Sequence, residues 1–299
     1  MVSLTAHART VAFQGEPGAY ANLAAREALP QAQAVPRPTF DAALEAVRRG
    51  DTDLAIVPVE NSVYGRIADT HLLVRHFGRP VKGHASPEKR DLFIVGEHFH
   101  RVRHQLLGLK GAALAGVREV YSQRPALGQC RKIIKELGLA EREWSDTAGS
   151  AKHVAELGAP SAAAIASRLA GELYGLEILR GDIEDEPHNM TRFLIVGAED
   201  DDAPNDGGAV VTTLLFRVKN IPAALYKALG GFATNGVNMT KLESYQLGGS
   251  FNATEFYADI EGHPDQPAVR RALDELSFFT SRLSILGVYP AHPFRAEMP

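Results

Sequence analysis

The sequence predicts an α/β protein in two parts. A layered α/β region spans residues 8–198, and a smaller region at 209–291 reads strand-helix-strand-strand-helix-strand. Three observations carry this. Short apolar runs alternate with amphipathic segments through the first two-thirds of the chain, the pattern of a sheet with helices on its faces. The tract Ala198–Gly208, AEDDDAPNDGG, gathers acids, Pro and a Gly pair with no apolar side chain larger than Ala. It is expected to be an exposed linker over residues 199–208. Beyond it, the order β-α-β-β-α-β is that of the split ferredoxin-like motif.

In chain order, the strands expected in the first part are Val11–Phe13, Leu54–Val57, Leu92–Val95, Val117–Tyr121, Ala162–Ile165 and Phe193–Val196. Thr39–Gly50 places Phe40, Leu44 and Val47 on one helical face, with Thr39 as cap and Gly50 as terminator. Gln129–Leu137 does the same with Cys130, Ile133, Ile134 and Leu137. A region of this length suits two lobes, and a cleft between lobes is a common ligand site. In the second part Val210–Val218 is a strand and Pro222–Phe232 a helix opened by Pro in its first turn. Val237–Leu247 and Phe251–Ile260 form a hairpin joined at Gly248-Gly249. Ala268–Leu276 is a helix, and Leu283–Tyr289 the last strand.

With 32 Lys+Arg against 36 Asp+Glu the net charge is −4, which excludes a basic nucleic-acid binder held by phosphate contacts. Apolar residues make up 45% of the 299 and charged residues 23%, ordinary for a globular protein. No uncharged apolar stretch approaches the ~20 residues a membrane helix needs. Met1–Thr10 lacks the apolar core of a signal peptide. A cytoplasmic protein that binds neither membrane nor nucleic acid is the expectation. The single cysteine, Cys130, excludes an intrachain disulfide and a multi-Cys metal site.

Six strings carry more than the averages: FQGEPGAYAN (13–22), DLAIVPVENSVYGRI (53–67), YSQRPALGQC (121–130), DTAGSA (146–151), AAIAS (163–167) and HNMTRF (188–193). In this order they resemble the prephenate dehydratase family, enzymes that convert prephenate to phenylpyruvate on the way to phenylalanine. PAALYKAL (222–229) and GVNMTKLES (236–244) resemble the ACT regulatory domain that follows the catalytic part in that family. The resemblance implies a catalytic part of two α/β lobes of the periplasmic-binding-protein type, with the active site in the cleft. It further implies a homodimer or homotetramer, no metal, no organic cofactor, and feedback by L-phenylalanine.

Prephenate carries two carboxylates and a ring hydroxyl, and losing carbon dioxide with that hydroxyl restores aromaticity. The hard step is expelling a poor leaving group. A site therefore needs a donor at the departing oxygen and fixed donors for the carboxylates. Hydroxyl, amide and one or two cationic groups meet that need without a nucleophile or a metal.

The resemblance places Thr191, in Asn189-Met190-Thr191-Arg192-Phe193, at the leaving hydroxyl; read alone, it is a strand-entry Thr satisfying local backbone. Arg192 is a bidentate carboxylate clamp or the ion-pair partner of Asp182–Glu186. Phe193 is a cleft wall or core. Asn61 matches the family's substrate-contacting Asn, or is a turn Asn bonding its own backbone. Beside it Glu60 is a capping, ion-pairing or proton-shuttling acid, and Ser62 joins the expected substrate-binding set. Ser122 and Gln129 match the ends of a segment that usually reads Ser-His-Pro-Gln-x-Leu-x-Gln-Cys, with Gln123 standing for the His. Ser122 is also placed to cap the helix that Pro125 begins. Thr147 and Ala148 sit at a helix N-terminus whose free N–H groups suit an anion. Gly18 and Tyr20, with Gly15, match a GxxGxY string in which Ala21 replaces the usual Ser, and Cys130 is expected in the core.

For phenylalanine the expected set is Ala223, Ala224, Leu225, Asn238, Met239, Leu242, Glu243 and Ser244. The turn before Ala224 supplies backbone donors, Asn238 receives the ammonium, and Leu225 and Leu242 line the ring slot or are simply core. The family's Glu-Ser-Arg-Pro reads Glu243-Ser244-Tyr245-Gln246 here, and Pro222-Ala223 stands where Pro-Gly is common, so weakened binding is expected. Two alternatives stay open: an arogenate dehydratase, acting on the same ring with an amino-acid side chain, and a non-enzymatic amino-acid-binding sensor.

Overall fold

The computed structural model describes residues 4–84, 91–246 and 253–297, so the expected Gly248-Gly249 turn lies outside the described residues. The chain divides into two compact units: Ala8–Thr70 with His98–Phe193, and Met1–His7, His71–Glu97 with Leu194–Pro299. Among the described residues, no helix is long and apolar enough to cross a membrane.

The first unit is built on two sheets. In one, Gln33–Arg37, Thr10–Gln14 and Leu54–Asn61 lie in that order, with Gly65–Arg66 pairing onto Leu54–Asn61, and residues 190–193 and 98–101 of two further strands belong to the same unit. Thr10–Gln14 runs parallel to both of its neighbours. Leu54, Ala55, Ile56 and Val57 are all buried, the continuous apolar run of a parallel strand covered on both faces. The other sheet runs Leu176–Arg180, Gln105–Leu109, Ala162–Ala166, Glu119–Ser122, Ala140–Glu143. Only Gln105–Leu109 is antiparallel to its partners.

The helices begin where polar caps stand. Thr39 Oγ1 accepts from Ala42 N at 3.0 Å and opens Phe40–Arg48; Asp146 Oδ1 accepts from Gly149 N at 2.7 Å and opens Thr147–Leu157. Such a cap is worth about 1 kcal/mol. The helix expected over Gln129–Leu137 is instead two, Arg124–Gln129 and Arg131–Leu137, broken at Cys130 with φ −125° and ψ 29°. The Gln129 carbonyl accepts from Asp185 N at 2.6 Å, which takes it out of the helical ladder. Gly18 has φ +94°, and a Cβ there would lie 2.8 Å from Ala170 Cα. Backbone approach, not ligand, demands that glycine.

The second unit carries the strand-helix-strand-strand-helix-strand order: Val210–Val218, Ala224–Thr234, Met239–Gln246, Ala253–Glu261, Pro267–Phe279 and Thr280–Pro290. Its sheet order is Met239–Gln246, Ala253–Glu261, Val210–Val218, Thr280–Pro290, extended at the last edge by Arg79–Pro80. Leu214, Phe216, Phe232, Phe256, Leu276 and Leu283 fill its core. The first helix starts at Ala224, not at Pro222, because Ala223 adopts a left-handed conformation, φ +58°. That geometry costs a non-glycine residue roughly 1–2 kcal/mol. The 199–208 tract, expected as an exposed linker, is exposed over most of its length but is anchored. Ala203 is buried in the core and its N–H donates to Val288 O at 2.8 Å, while Asp200 and Asp202 both pair with Arg79.

Candidate active site

A cavity of about 550 Å³ opens in the first unit and is lined from both of its sheets. Strand alternation decides which motif residues reach it. Thr191 and Phe193 line the cavity, while Arg192 between them turns to the opposite face. There Arg192 is 3% exposed and bonds Glu60 Oε1 at 3.1 Å, with its guanidinium over the Phe99 ring at 6.0 Å. The acids Asp182–Glu186 have other partners: Asp182 pairs with Arg103, Glu184 accepts from His104 N, and Asp185 accepts from Lys132 N. Arg192 is therefore neither a cavity clamp nor a partner of that stretch, and Glu60 is an ion-pairing acid outside the cavity lining.

Asn61 unites the two readings given to it. Its Oδ1 accepts from Val63 N and Tyr64 N, both at 3.0 Å, which is the turn role. Its Nδ2 lies 2.7 Å from Asn189 Oδ1, 3.1 Å from Met190 O and 2.9 Å from Thr191 Oγ1. A hydroxyl that accepts on one side has its own proton free to point elsewhere. Thr191, at the cavity wall, is thus held as a donor. Ser62 does structural work: its Oγ donates to His188 O at 2.6 Å and accepts from Met190 N at 2.9 Å, and it lies outside the lining.

A second polar chain crosses the cavity. His104, 1% exposed, directs Nε2–H to Gln129 Oε1 at 2.7 Å and accepts from the Tyr20 hydroxyl at Nδ1, 2.8 Å away. Burial pushes the His104 pKa down to about 4, against the Gln129 bond, so the ring is neutral near pH 7. Burial, reinforced by Cys130 and Glu184, raises the Tyr20 pKa well above the phenol range, so that oxygen keeps its proton. All three side chains line the cavity. Sequence reading found Tyr20 and Gln129 but missed His104. Its one signal is an isolated polar ring at the entry to the apolar run Gln105–Leu109.

Helix starts supply the remaining polarity. The first turns of Tyr20–Ala28, Phe40–Arg48 and Thr147–Leu157 all reach the cavity, through Tyr20, Phe40 and Thr147. Their N–H groups and the aligned peptide dipoles attract anions. Among the described lining residues there is no Lys or Arg, while Asp69 and Asp146 bring carboxylates to the wall, so the cationic side chains expected of the site are not part of it. Three further residues expected at the site stand outside the lining. Ser122 donates to Ile165 O at 2.7 Å and caps no helix, since Gln123 holds the cap position without a side-chain bond. Ala148 is core, and Gly18 packs on Ala170.

The residues expected to hold phenylalanine divide. Leu225 and Met239 pack on the C-terminal core. Along Met239–Gln246 burial alternates, so that Leu242, 40% exposed, and Ser244 lie on one face and Glu243, bonded to Lys241 at 3.2 Å, on the other. Asn238 is exposed, and its carbonyl accepts from Glu261 N. Tyr245, at the position of the family's Arg, is buried and hydrogen-bonded to His71.

The prephenate dehydratase family profile matches residues 11–201 of the chain. This protein belongs to the prephenate dehydratase family. Members of that family are carbon–oxygen lyases. It is 52% identical over 289 residues to a bifunctional N-acyl-homoserine lactone acylase/prephenate dehydratase of Komagataeibacter europaeus, covering 97% of this chain and 98% of that one. It is 38% identical to arogenate dehydratase/prephenate dehydratase 2, chloroplastic, of Arabidopsis thaliana, covering 94% of this chain and 72% of that one. Among solved structures, a prephenate dehydratase of Arthrobacter aurescens in complex with L-Phe superposes with a TM-score of 0.82 at 30% identity, covering 94% and 90% of the two chains. A protein described as a novel type of quorum quenching acylase superposes at 0.85 with 52% identity, covering 96% and 100%.

Proposed function

We propose that this prephenate dehydratase family member converts prephenate to phenylpyruvate in the cavity of its first unit. The observation that carries this reading is Thr191 Oγ1 at the cavity wall, held by Asn61 Nδ2 at 2.9 Å. Thr191 donates to the departing ring hydroxyl, and Asn61 keeps that proton aimed. The side-chain carboxylate docks on a helix start such as Thr147, while the ring carboxylate, held without a salt bridge, leaves as carbon dioxide. The electron pair of the broken C–C bond moves into the ring as the C–O bond breaks, and the departing hydroxide, hydrogen-bonded by Thr191, takes a proton from solvent and leaves as water. A positioned donor of this kind is worth about 10²–10³ in rate. Neutral His104, between Tyr20 and Gln129, braces the opposite wall. The test is purified protein incubated with prephenate and, separately, arogenate, reading phenylpyruvate and phenylalanine. Turnover of prephenate that survives a chelator supports the reading; no turnover of either compound by folded protein overturns it.

The second unit is proposed to act as an ACT domain that binds L-phenylalanine and lowers turnover by shifting a two-state equilibrium of a homo-oligomer. The L-Phe complex of the Arthrobacter aurescens relative supports this. Calorimetric titration with phenylalanine tests it, and absence of heat at millimolar ligand leaves a purely structural domain. A second activity also has support, since the Komagataeibacter europaeus relative is named for an N-acyl-homoserine lactone acylase as well. Release of homoserine lactone from an N-acyl-homoserine lactone tests it directly. The setting proposed for these activities is cytoplasmic.

A further inference from the structure

Helix Tyr20–Ala28 and the end of strand Phe93–Arg101 bring three side chains to one point in the first unit, away from the cavity lining. His98 and His100 stand two residues apart on the strand, so both rings leave it on the same face. Glu27, in the last turn of the helix, meets them. His98 Nε2 lies 2.9 Å and His100 Nδ1 2.8 Å from the same oxygen, Glu27 Oε2. The three candidate donor atoms all lie within 4.8 Å of one another. Widening each N···O separation by a few tenths of an ångström gives the span between two ligands of a tetrahedral ion with bonds of ~2.0–2.1 Å. The His98 and His100 side chains are 12% and 7% exposed, whereas Glu27 is 46% exposed. The nitrogens are sheltered and the carboxylate side stays open to water.

We infer that Glu27, His98 and His100 form a site for a divalent transition-metal ion, best matched to Zn²⁺, with water completing its shell. Two imidazoles and one carboxylate suit borderline ions such as Zn²⁺, whereas Mg²⁺ and Ca²⁺ seek oxygen donors. The ion cross-links the helix that begins at Tyr20 to the strand that leads to His104. The His100 and Tyr20 rings stand 5.9 Å apart, so the brace lies directly behind a cavity residue. It is a structural ion, and turnover in the cavity does not pass through it.

The experiment uses the full chain, stripped with a chelator, dialysed, and titrated calorimetrically with ZnCl₂ about one pH unit above the ~6.5 of free imidazole. One saturating equivalent is expected, with a melting temperature raised by roughly 5–10 °C at a hundredfold excess over the dissociation constant. MgCl₂ should give neither effect. Glu27→Gln and His98→Ala each remove a direct ligand. Each should weaken zinc by more than the ~10–100-fold that loss of an outer-shell partner costs. Circular dichroism confirms that both variants are folded. The chain has 11 histidines, and zinc binding unchanged in both folded variants would assign the heat to others and overturn the site. Absence of saturable heat in the wild type would overturn it equally.

Discussion

The core of the C-terminal unit and the cavity wall of the first unit use polar groups differently. In the C-terminal unit, carboxylates withdrawn from water are met by arginines. Glu255 lies 2.8 Å from Arg75, 3.1 Å from Arg217 and 3.7 Å from Arg282, and Glu97 takes Arg295 Nε at 2.6 Å and Nη2 at 2.9 Å. Around the cavity most polar groups are neutral, among them the Thr191 hydroxyl, the Asn61 and Gln129 carboxamides and an imidazole held uncharged, with Asp69 and Asp146 the charged side chains of the described lining. A neutralised ion pair has spent its hydrogen-bonding capacity on the fold. A neutral donor fixed on one side and open on the other still has capacity for a ligand. Paired charge thus specifies packing in the C-terminal core, as it does at Arg192–Glu60 outside the cavity lining, whereas the hydroxyl and carboxamides at the wall keep capacity for a ligand.

The largest test of that contrast is Thr191→Ala, expected to lower kcat by about 10²–10³-fold with a modest change in KM. A folded variant of near-normal kcat would remove Thr191 from the reaction and break the contrast on the cavity side. On the other side, Glu255→Ala strands three guanidinium groups. It should cost about 3 kcal/mol in denaturant unfolding, the low end for a broken buried pair because the Arg217 side chain is 37% exposed. Kinetics of that variant at temperatures where it stays folded should match the wild type.

The pH dependence sharpens the comparison further. The folded pKa of His104 is about 4, below the ~6.5 of the unfolded chain. Between those values the unfolded state binds more protons, so stability held above pH ~6.5 is lost as pH falls toward ~4. His104→Asn should flatten the melting-temperature profile in that window; an unchanged profile would mean that the imidazole is not kept neutral by burial. The smallest effect is Thr39→Ala, which removes one cap at the cavity rim and should cost about 1 kcal/mol with little change in kcat.

Thr191, Asn61 and Gln129 are legible in the sequence because each stands in a short string of family order. Which neighbour turns inward is not. Sequence reading ends one strand at Val57 and begins another at Phe193, whereas they run to Asn61 and from Met190. Only over those added residues do Asn61 and Thr191 reach the cavity while Glu60 and Arg192 stay outside its lining; alternation explains Thr191–Phe193, whereas Pro58 and Asn61 both line the cavity at the end of their strand. His104 has no string to mark it, since its partners Tyr20 and Gln129 lie 84 and 25 residues away. The helix expected at Pro222 misses the left-handed Ala223, a conformation that side-chain pattern does not encode. The strand order of the C-terminal sheet, by contrast, follows from element order alone, because turns and crossovers leave few ways to close βαββαβ.

Any attraction of the proposed site for anions resides in peptide N–H groups at the helix starts Tyr20, Phe40 and Thr147, since the described lining offers no Lys or Arg. A side-chain scan is blind to it. Alanine replacements around the wall register the hydroxyl and the carboxamides and pass over the groups proposed to hold the carboxylates. Proline is the substitution that speaks to them, because at the first helical position it deletes the N–H while keeping the helix. Thr147 suits it, since Asp146 before it already has the extended backbone that precedes proline, φ −153° and ψ 167°. For the same reason the wall can drift in residue identity while the helix-start N–H groups persist, inherited through the course of the chain.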